Sequence, residues 1–334
     1  MLKNKYINTS DIMLAYEKFR GKRTLILLYK LLNIFFKNKR IESLWTPDKF
    51  NDTVHWGAIQ YIEERNNYFI SGSKYNSFGK YIINKYIKPK SPDAIGLTLG
   101  CGMGYREIEL AESGCFMHID SYDLSESALD EARRIANNKF LDNILYFEKK
   151  DINKYELPKN YYDIILVEQS LHHFSPLEPL MKKINNSLKS DGLFIINEYV
   201  GPDKFQWTEK QLNIANGLLA ILPDRYKIQS YNKKIKRQIC RPGLVRMKIY
   251  DPSEAVESSR IVPIAKNIFE IIEDVNYGGT VISLLFQDIA NNFNEEDETA
   301  QKLLKIVTEL EDCMINYGEI NSDYKFLVCK KKIV

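Results

Sequence analysis

Long hydrophobic runs, paired cysteines and a surplus of either charge are all missing from this 334-residue sequence. Its longest apolar run, TLILLYKLLNIFF at 24–36, is too short to span a bilayer and is broken by Lys30 and Asn33. No signal peptide is expected at its start. The five cysteines (101, 115, 240, 313 and 329) are odd in number, scattered and without a CxxC pair. That argues against a disulfide framework or cysteine-held zinc, and for a reducing, cytoplasmic setting. Forty-seven Lys and Arg stand against 44 Asp and Glu, too even a balance to argue for a nucleic-acid partner. Internal repeats and low-complexity tracts are also absent.

What is present describes a globular protein. A hydrophobic fraction of 44% and an aromatic fraction of 12% can fill a substantial core, and the length suits one large domain with insertions, or two. The abundance of Lys, Asn, Ile and Tyr has the look of an AT-rich bacterial coding sequence.

The chain divides into a helical N-terminal segment (1–90), a core (91–200), an inserted lid (201–265) and a closing segment (266–334). In the first, Ser10 and Asp11 can cap DIMLAYEKFR, and the 24–36 helix follows between Lys22, Arg23, Lys37, Lys39 and Arg40. That second helix either covers the core or a dimer partner, or lies on a membrane surface, where basic flanks favour anionic lipid. Residues 41–75 show no clean periodicity, whereas apolar positions 78, 82, 83 and 86 make a helical stripe.

The core is organised around IGLTLGCGMG at 95–104. Ile95–Leu99 reads as a buried strand that runs into Gly100-Cys101-Gly102-Met103-Gly104 and then a helix closed by Gly114. Glycines let a ligand approach the backbone, and the free N–H groups of a helix start point toward it. Further strands are expected at 116–123, 143–151, 161–170 and 192–199, alternating with helices, as in a parallel α/β sheet. Ser125 can cap one helix, and Ser175-Pro176-Leu177-Glu178 reads as a capping box with proline at the first helical position.

Beyond 200, Thr208 and Gln211 form another capping box, YNKKIKRQ at 231–238 reads as a solvated face, and Asp251-Pro252-Ser253-Glu254 starts a short helix. Strand-like KNIFEIIEDV (266–275), helices near 281–293 and 296–316, and the strand YKFLVCKKK complete the chain.

The glycine pattern is G-C-G-M-G-Y, with Tyr105 where a dinucleotide fingerprint needs its third glycine, which argues against a dehydrogenase. LTLGCGMG, YDLSESALDEAR, KKDINKYELP, YDIILVEQSLHHF and LKSDGLFIINEY, in this order and spacing, resemble class I S-adenosylmethionine-dependent methyltransferases across about residues 90–200. The resemblance implies a seven-stranded Rossmann-like sheet, six strands parallel and one antiparallel, and S-adenosylmethionine as cofactor. It implies that Gly100, Gly102 and Gly104 line the methionine and ribose, and that Asp123 takes the ribose hydroxyls with Leu124 near the adenine. Asp151 and Ile152 would hold the adenine edge, and Glu168 would lie by the methionine amino group. About fifty residues separate the last two strands, where the family has a short hairpin, so the role of 276–320 stays open between lid, dimer contact and packing.

A base is expected beside the methyl group if the acceptor is a hydroxyl or an ammonium. His172 and His173 follow the fourth strand and Glu198 ends the fifth, where open α/β sheets bind ligands. Adjacent histidines do not share a ligand face, so no metal is expected. No (D/N)PPY follows the fourth strand, which argues against amino methylation of DNA. Tyr199, Trp207, Arg241, Arg246 and Tyr277 are candidate substrate contacts. The reading is therefore methyl transfer to oxygen or nitrogen of a small molecule such as a natural product, amino-acid derivative or sugar, with a homodimer possible. A peptide or protein methyltransferase and a non-catalytic S-adenosylmethionine-binding scaffold are the alternatives.

Overall fold

The computed structural model describes residues 54–332 together with Tyr6, Ile7 and Asp11. The helices expected in the first forty residues, Asp11 apart, lie outside the described residues. Among the described residues from 54 on, two α-helices precede the sheet. Helix α1 (Gln60–Ser71) occupies a stretch whose sequence showed no clean stripe, and Gly72, at φ 77°, ends it. Helix α2 (Phe78–Ile82) is capped by Ser77, whose hydroxyl accepts from the Lys80 amide, and runs into a π-helical turn over Ile83–Ile87.

Strands and helices then alternate: β1 (Ala94–Leu99), α3 (Tyr105–Glu112), β2 (Phe116–Asp123), α4 (Glu126–Asn138), β3 (Leu145–Lys149), β4 (Tyr162–Glu168), α5 (Leu177–Ser187) and β5 (Leu188–Tyr199). Three helices follow, α6 (Glu209–Ile221), α7 (Leu244–Tyr250) and α8 (Ile261–Ile268), before β6 (Phe269–Gly278). Helices α9 (Ile282–Phe286) and α10 (Glu298–Asn316) separate it from β7 (Tyr324–Lys331). The sheet order is β3-β2-β1-β4-β5-β7-β6, with β7 antiparallel to both its neighbours and the other pairs parallel. This is the predicted seven-stranded Rossmann-like sheet. No described helix is long and apolar enough to cross a membrane.

Both faces of the sheet are covered. One core joins α2, α3 and α4 to the sheet through Phe78, Ile82, Ile108, Leu129 and Ala132. The other joins α5 and α8 through Leu177, Met181, Ile184, Ile261 and Ala265. Such double burial explains why β1, β4 and β5 read as near-continuous apolar runs.

A third core unites segments far apart in sequence. Trp56, Ile59 and Ile62 pack with Leu212 and Leu219 of α6, Leu285 and Phe286 of α9, and Leu304 of α10. Strand β5 leaves the sheet at Tyr199, opposite Tyr324 where β7 enters, and Gly278 at the end of β6 also faces Tyr324. The chain segments after β5 and after β6 therefore both emerge at the carboxyl edge of the parallel strands. There they build one shared helical layer.

Several local expectations change. The Ser175 capping box does not form: α5 begins at Leu177 with Pro176 as its N-cap. The Ser175 hydroxyl donates instead to Glu257 at 2.7 Å, while Glu178 pairs with Lys182 on its own helix. A distant carboxylate has won the hydroxyl. Strand β5 starts at Leu188 rather than 192, because Leu188 already pairs with Tyr162. The Asp251–Glu254 stretch is a turn, not a helix, since the Asp251 side chain accepts from both the amide and hydroxyl of Ser253. The basic stretch 231–238 is not uniformly solvated. Lys236 is buried, and its ammonium donates to the carbonyls of Leu284, Leu285 and Gln287, closing α9 and splitting the helix expected over 281–293. By contrast, Thr208 and Gln211 form the capping box as read.

Gly104 gives the fold a point of high sensitivity. Its φ is 75°, and a Cβ there would lie 2.8 Å from Phe147 and 2.9 Å from Ala132, both in the core between α4 and β3. We expect Gly104→Ala to lower unfolding free energy by about 2 kcal/mol or more, through left-handed strain and overpacking together. A denaturant midpoint within error of the wild type would refute it.

Candidate active site

Three glycines shape the turn after β1. Gly100, Gly102 and Gly104 have φ of 72°, 53° and 75°, values that side chains with a Cβ disfavour. The amide of Gly100 donates to the Tyr122 carbonyl at 2.7 Å, locking the turn onto the end of β2. Around Gly100 there is no room, since a Cβ would lie 2.4 Å from that of Ser170. Around Gly102 the space is open to 4 Å.

Asp123, the last residue of β2, organises this turn. Its Oδ2 accepts from the Gly102 amide at 2.9 Å and its Oδ1 from the Ser125 amide at 2.8 Å, while Ser125 caps α4 by accepting from Ala128. The carboxylate thus ties the glycine turn to the next helix and stays partly exposed. After β3, the Lys150 amide donates to the Asp123 carbonyl, which brings the Asp151 turn alongside. Asp151 accepts from the Asn153 amide and pairs with Lys154 at 3.2 Å. Ile152 is buried and its carbonyl takes the Lys183 ammonium, while Leu124 is half-buried. Burial drives the Cys101 thiol well above its usual range, which removes it as a nucleophile.

Glu168 closes β4 with both oxygens engaged. Arg106, two residues beyond Gly104, donates from Nε at 2.6 Å and from Nη2 at 3.1 Å, and Asn197 adds a bond at 3.2 Å. The Tyr277 hydroxyl in turn donates to Asn197 at 2.7 Å. Gln169, the next residue, sits at φ 50°, with its amide on the Asn197 carbonyl. A non-glycine residue held there at a strand end marks strain of the kind found at ligand sites.

The histidine turn follows. Leu171–His173 is a 3-10 turn, and the rings of His172 and His173 lie 4.2 Å apart, centroid to centroid. Glu198, fully buried at the end of β5, is held by the amides of Leu171 and Tyr199, each at 2.6 Å. Its Oε1 lies 2.5 Å from His172 Nδ1. On the other side, His172 Nε2 lies 3.3 Å from Glu254. Burial pulls the His172 imidazolium down, but Glu198 and Glu254 outweigh it and push it up to about 10. His173 goes the other way, lowered by burial and by the charge of His172. Its Nδ1 is 3.4 Å from the Ser253 hydroxyl.

Glu254 carries no sequence signal toward this turn, being about eighty residues away. It arrives because 252–258 is clipped down: Val256 donates to the His172 carbonyl, Lys204 to the carbonyls of Ala255, Pro252 and Glu254, and Ser258 to that of Gly201. Arg106 and Asn197 were missed as well, since they reach Glu168 across 62 and 29 residues of sequence.

The five substrate candidates separate. Tyr199 packs edge-on to His172, with ring centroids 6.1 Å apart, and Trp207 joins the same aromatic group by stacking on Phe205, which also meets Tyr199. Tyr277 reaches that group through Tyr324. Arg241 spends its donors on the Trp207 carbonyl and on Glu209, and Arg246 lies 3.5 Å from Asp11. Arg241 thus ties the lid to itself, and Arg246 ties it to the N-terminal segment.

A family model described as "Methyltransferase domain" matches residues 90–267. The uncharacterized methyltransferase YcgJ of Bacillus subtilis (strain 168) is 25% identical over 107 residues, 32% of this chain and 41% of that protein. The malonyl-[acyl-carrier protein] O-methyltransferase of Bacillus anthracis is 27% identical over 110 residues, 33% of this chain and 39% of that protein. The chain therefore spans about two fifths of the length of these curated relatives. Among solved structures, an S-adenosylmethionine-dependent methyltransferase from Mesorhizobium loti covers 76% of this chain and 98% of its own, at a TM-score of 0.44 and 15% identity.

Proposed function

Because the chain belongs to the methyltransferase-domain family, whose match spans more than half of it, we propose that it moves a methyl group from S-adenosylmethionine to an oxygen or nitrogen of a small molecule. The observation that carries this is the pairing of two features at one sheet edge. An open glycine turn is clamped to Asp123, and a buried histidine–carboxylate cluster ends the neighbouring strands β4 and β5.

The residues fit the cofactor. Space above Gly102 is open, and Asp123 sits beneath it with a partly exposed carboxylate suited to a pair of ribose hydroxyls. Asp151 and Ile152, on the adjoining turn, are the residues for the adenine. Glu168, braced by Arg106 and Asn197, is the acid for the methionine ammonium. When bound, the sulfonium supplies the electrophilic methyl.

The protein's own work is to position and desolvate the acceptor. Tyr199, Phe205, Trp207 and Tyr324 offer an apolar wall beside the histidine turn. The proton of a hydroxyl or amine acceptor has takers in His173, held neutral, and in the Glu254 carboxylate. His172, kept protonated between two carboxylates, is not itself the base. Glu198 positions it. The O-methylation named for the Bacillus anthracis relative is chemistry this cluster suits.

Calorimetry with S-adenosylmethionine, followed by labelled-methyl transfer to a panel of small hydroxyl and amine acceptors, tests this reading. Binding near one equivalent and transfer to at least one acceptor are expected. Absence of binding sinks it. With an acceptor in hand, His173→Ala should lower kcat by roughly 100-fold while leaving cofactor affinity within about twofold. Unchanged turnover would mean that positioning alone suffices.

A further inference from the structure

The cluster at the end of β4 holds more than an acid–base pair. One ligand atom each from His172, His173 and Glu254 lies within 4.8 Å of the others. We propose that these three residues bind a divalent transition-metal cation of the zinc class. The proposal stands on this cluster alone; with the cation bound, His173 and Glu254 are ligands, and the proton-accepting roles given them above belong to the metal-free chain.

The donor set comes first. Two imidazoles and one carboxylate are the ligands of many open zinc sites, in which the fourth position is left to water or to an oxygen of a bound molecule. Zinc–nitrogen and zinc–oxygen bonds run about 2.0–2.1 Å, which puts neighbouring tetrahedral ligands about 3.3–3.4 Å apart. His172 Nε2 and Glu254 Oε1 are 3.3 Å apart. Their spacing suits one edge of such a tetrahedron, and His173 needs to close only a short distance to supply a third corner.

The support around the donors is the second point. A metal-bound histidine normally donates its other ring N–H to a carboxylate, which fixes the tautomer and the ring plane. His172 has that partner in Glu198, 2.5 Å from Nδ1. Glu198 is itself immobilised by two backbone amides and fully buried, so Nε2 is the nitrogen left to face Glu254, and a cation bound there displaces the proton that the two carboxylates otherwise hold on it. Glu254 is held on a segment fastened through Val256 to the carbonyl of His172 itself.

Charge is the third. Glu198 and Glu254 flank His172 directly and Asp251 lies on the His173 side. The nearby cation, Lys204, has its ammonium on the carbonyls of Pro252 and Glu254. A divalent cation that displaces the His172 proton takes over the pairing with both carboxylates and adds a further positive charge among them. Sequence reading placed no metal here because adjacent histidines diverge on a regular helix or strand. The 3-10 turn brings their rings together instead, and the lid adds the third donor.

The test uses the full chain, stripped with a chelator and titrated with Co2+, whose d–d absorption reports coordination, and with Zn2+ against a chromogenic chelator. We expect one equivalent bound with the intense visible bands of four- or five-coordinate cobalt. His173→Ala and Glu254→Gln should each weaken Zn2+ binding by roughly 100-fold or more, and Glu198→Gln by roughly 10–100-fold. Glu254→Gln keeps the shape of the side chain, and a thermal melt on each variant separates lost binding from lost fold. Absence of a bound equivalent, or equal affinity in wild type, His173→Ala and Glu254→Gln, overturns the site. Calorimetry with S-adenosylmethionine on the stripped chain reads the methyltransferase assignment separately, so either can fail without the other.

Discussion

Asp123→Ala is expected to weaken S-adenosylmethionine binding by roughly 150- to 25,000-fold in calorimetry. The carboxylate is tied directly to the open glycine turn, through the Gly102 amide at 2.9 Å. Hydrogen bonds to a charged group are each worth about 1.5–3 kcal/mol, so losing two to ribose hydroxyls costs roughly 3–6 kcal/mol, which is the stated range of affinity. A second loss adds to it, because the alanine variant frees the Gly102 and Ser125 amides and loosens the turn. Asp123→Asn separates the two. It keeps the size of the side chain but gives up the charge, and should fall between wild type and Asp123→Ala. If Asp123→Ala binds within about threefold of wild type, the carboxylate is only a structural tie and the cofactor assignment fails with it.

Glu311→Ala is expected to be the most damaging single change to stability outside the sheet, costing about 3–5 kcal/mol. Glu311, on α10, is fully buried, and its oxygens accept from the amides of Gly279, Val281 and Ile282 at 2.8, 2.5 and 2.9 Å. Burial raises its carboxyl above the usual range, opposed by Arg65 at 3.6 Å and by those amides. Removing it strands three amides in the interior and leaves Arg65 facing one carboxylate fewer; each orphaned group costs about 1–3 kcal/mol, and breaking a buried charge pair costs about 3–5 kcal/mol. Since these amides open α9, the damage should reach the helical layer beside the site. Calorimetric or dichroic melting should show a fall of roughly 10 °C. A shift under about 2 °C would mean that water replaces the carboxylate.

Much of this molecule was legible locally. Strands β1 and β4 emerged close to their observed limits because burial on both faces leaves an unmistakable apolar run. Ser125 and Thr208 cap their helices as read, since a cap needs only its own first turn. The same logic misled at Ser175, where the hydroxyl met Glu257 before it could meet its own helix. Lys236 looked solvated within YNKKIKRQ, yet α9 supplies two carbonyls and Gln287 at its end a third, which make burial tolerable. Helix α1 escaped because its exposed aromatic residues, Tyr68 and Phe69, blur the stripe that marks its buried face.

The sequence by itself determined the sheet, the glycine turn and the acidic residues at its strand ends, because each depends on neighbours within about one strand–turn–helix unit. Tertiary structure decided the rest. It joined 56–62, α6, α9 and α10 into one core, set Arg106 against Glu168, and paired Arg241 with Glu209 and Arg246 with Asp11. It also carried Glu254 to His172. Such contacts depend on which carbonyls and carboxylates a folded chain leaves unpaired in its interior, and burial makes those groups too costly to leave alone. No spacing along the chain records that requirement.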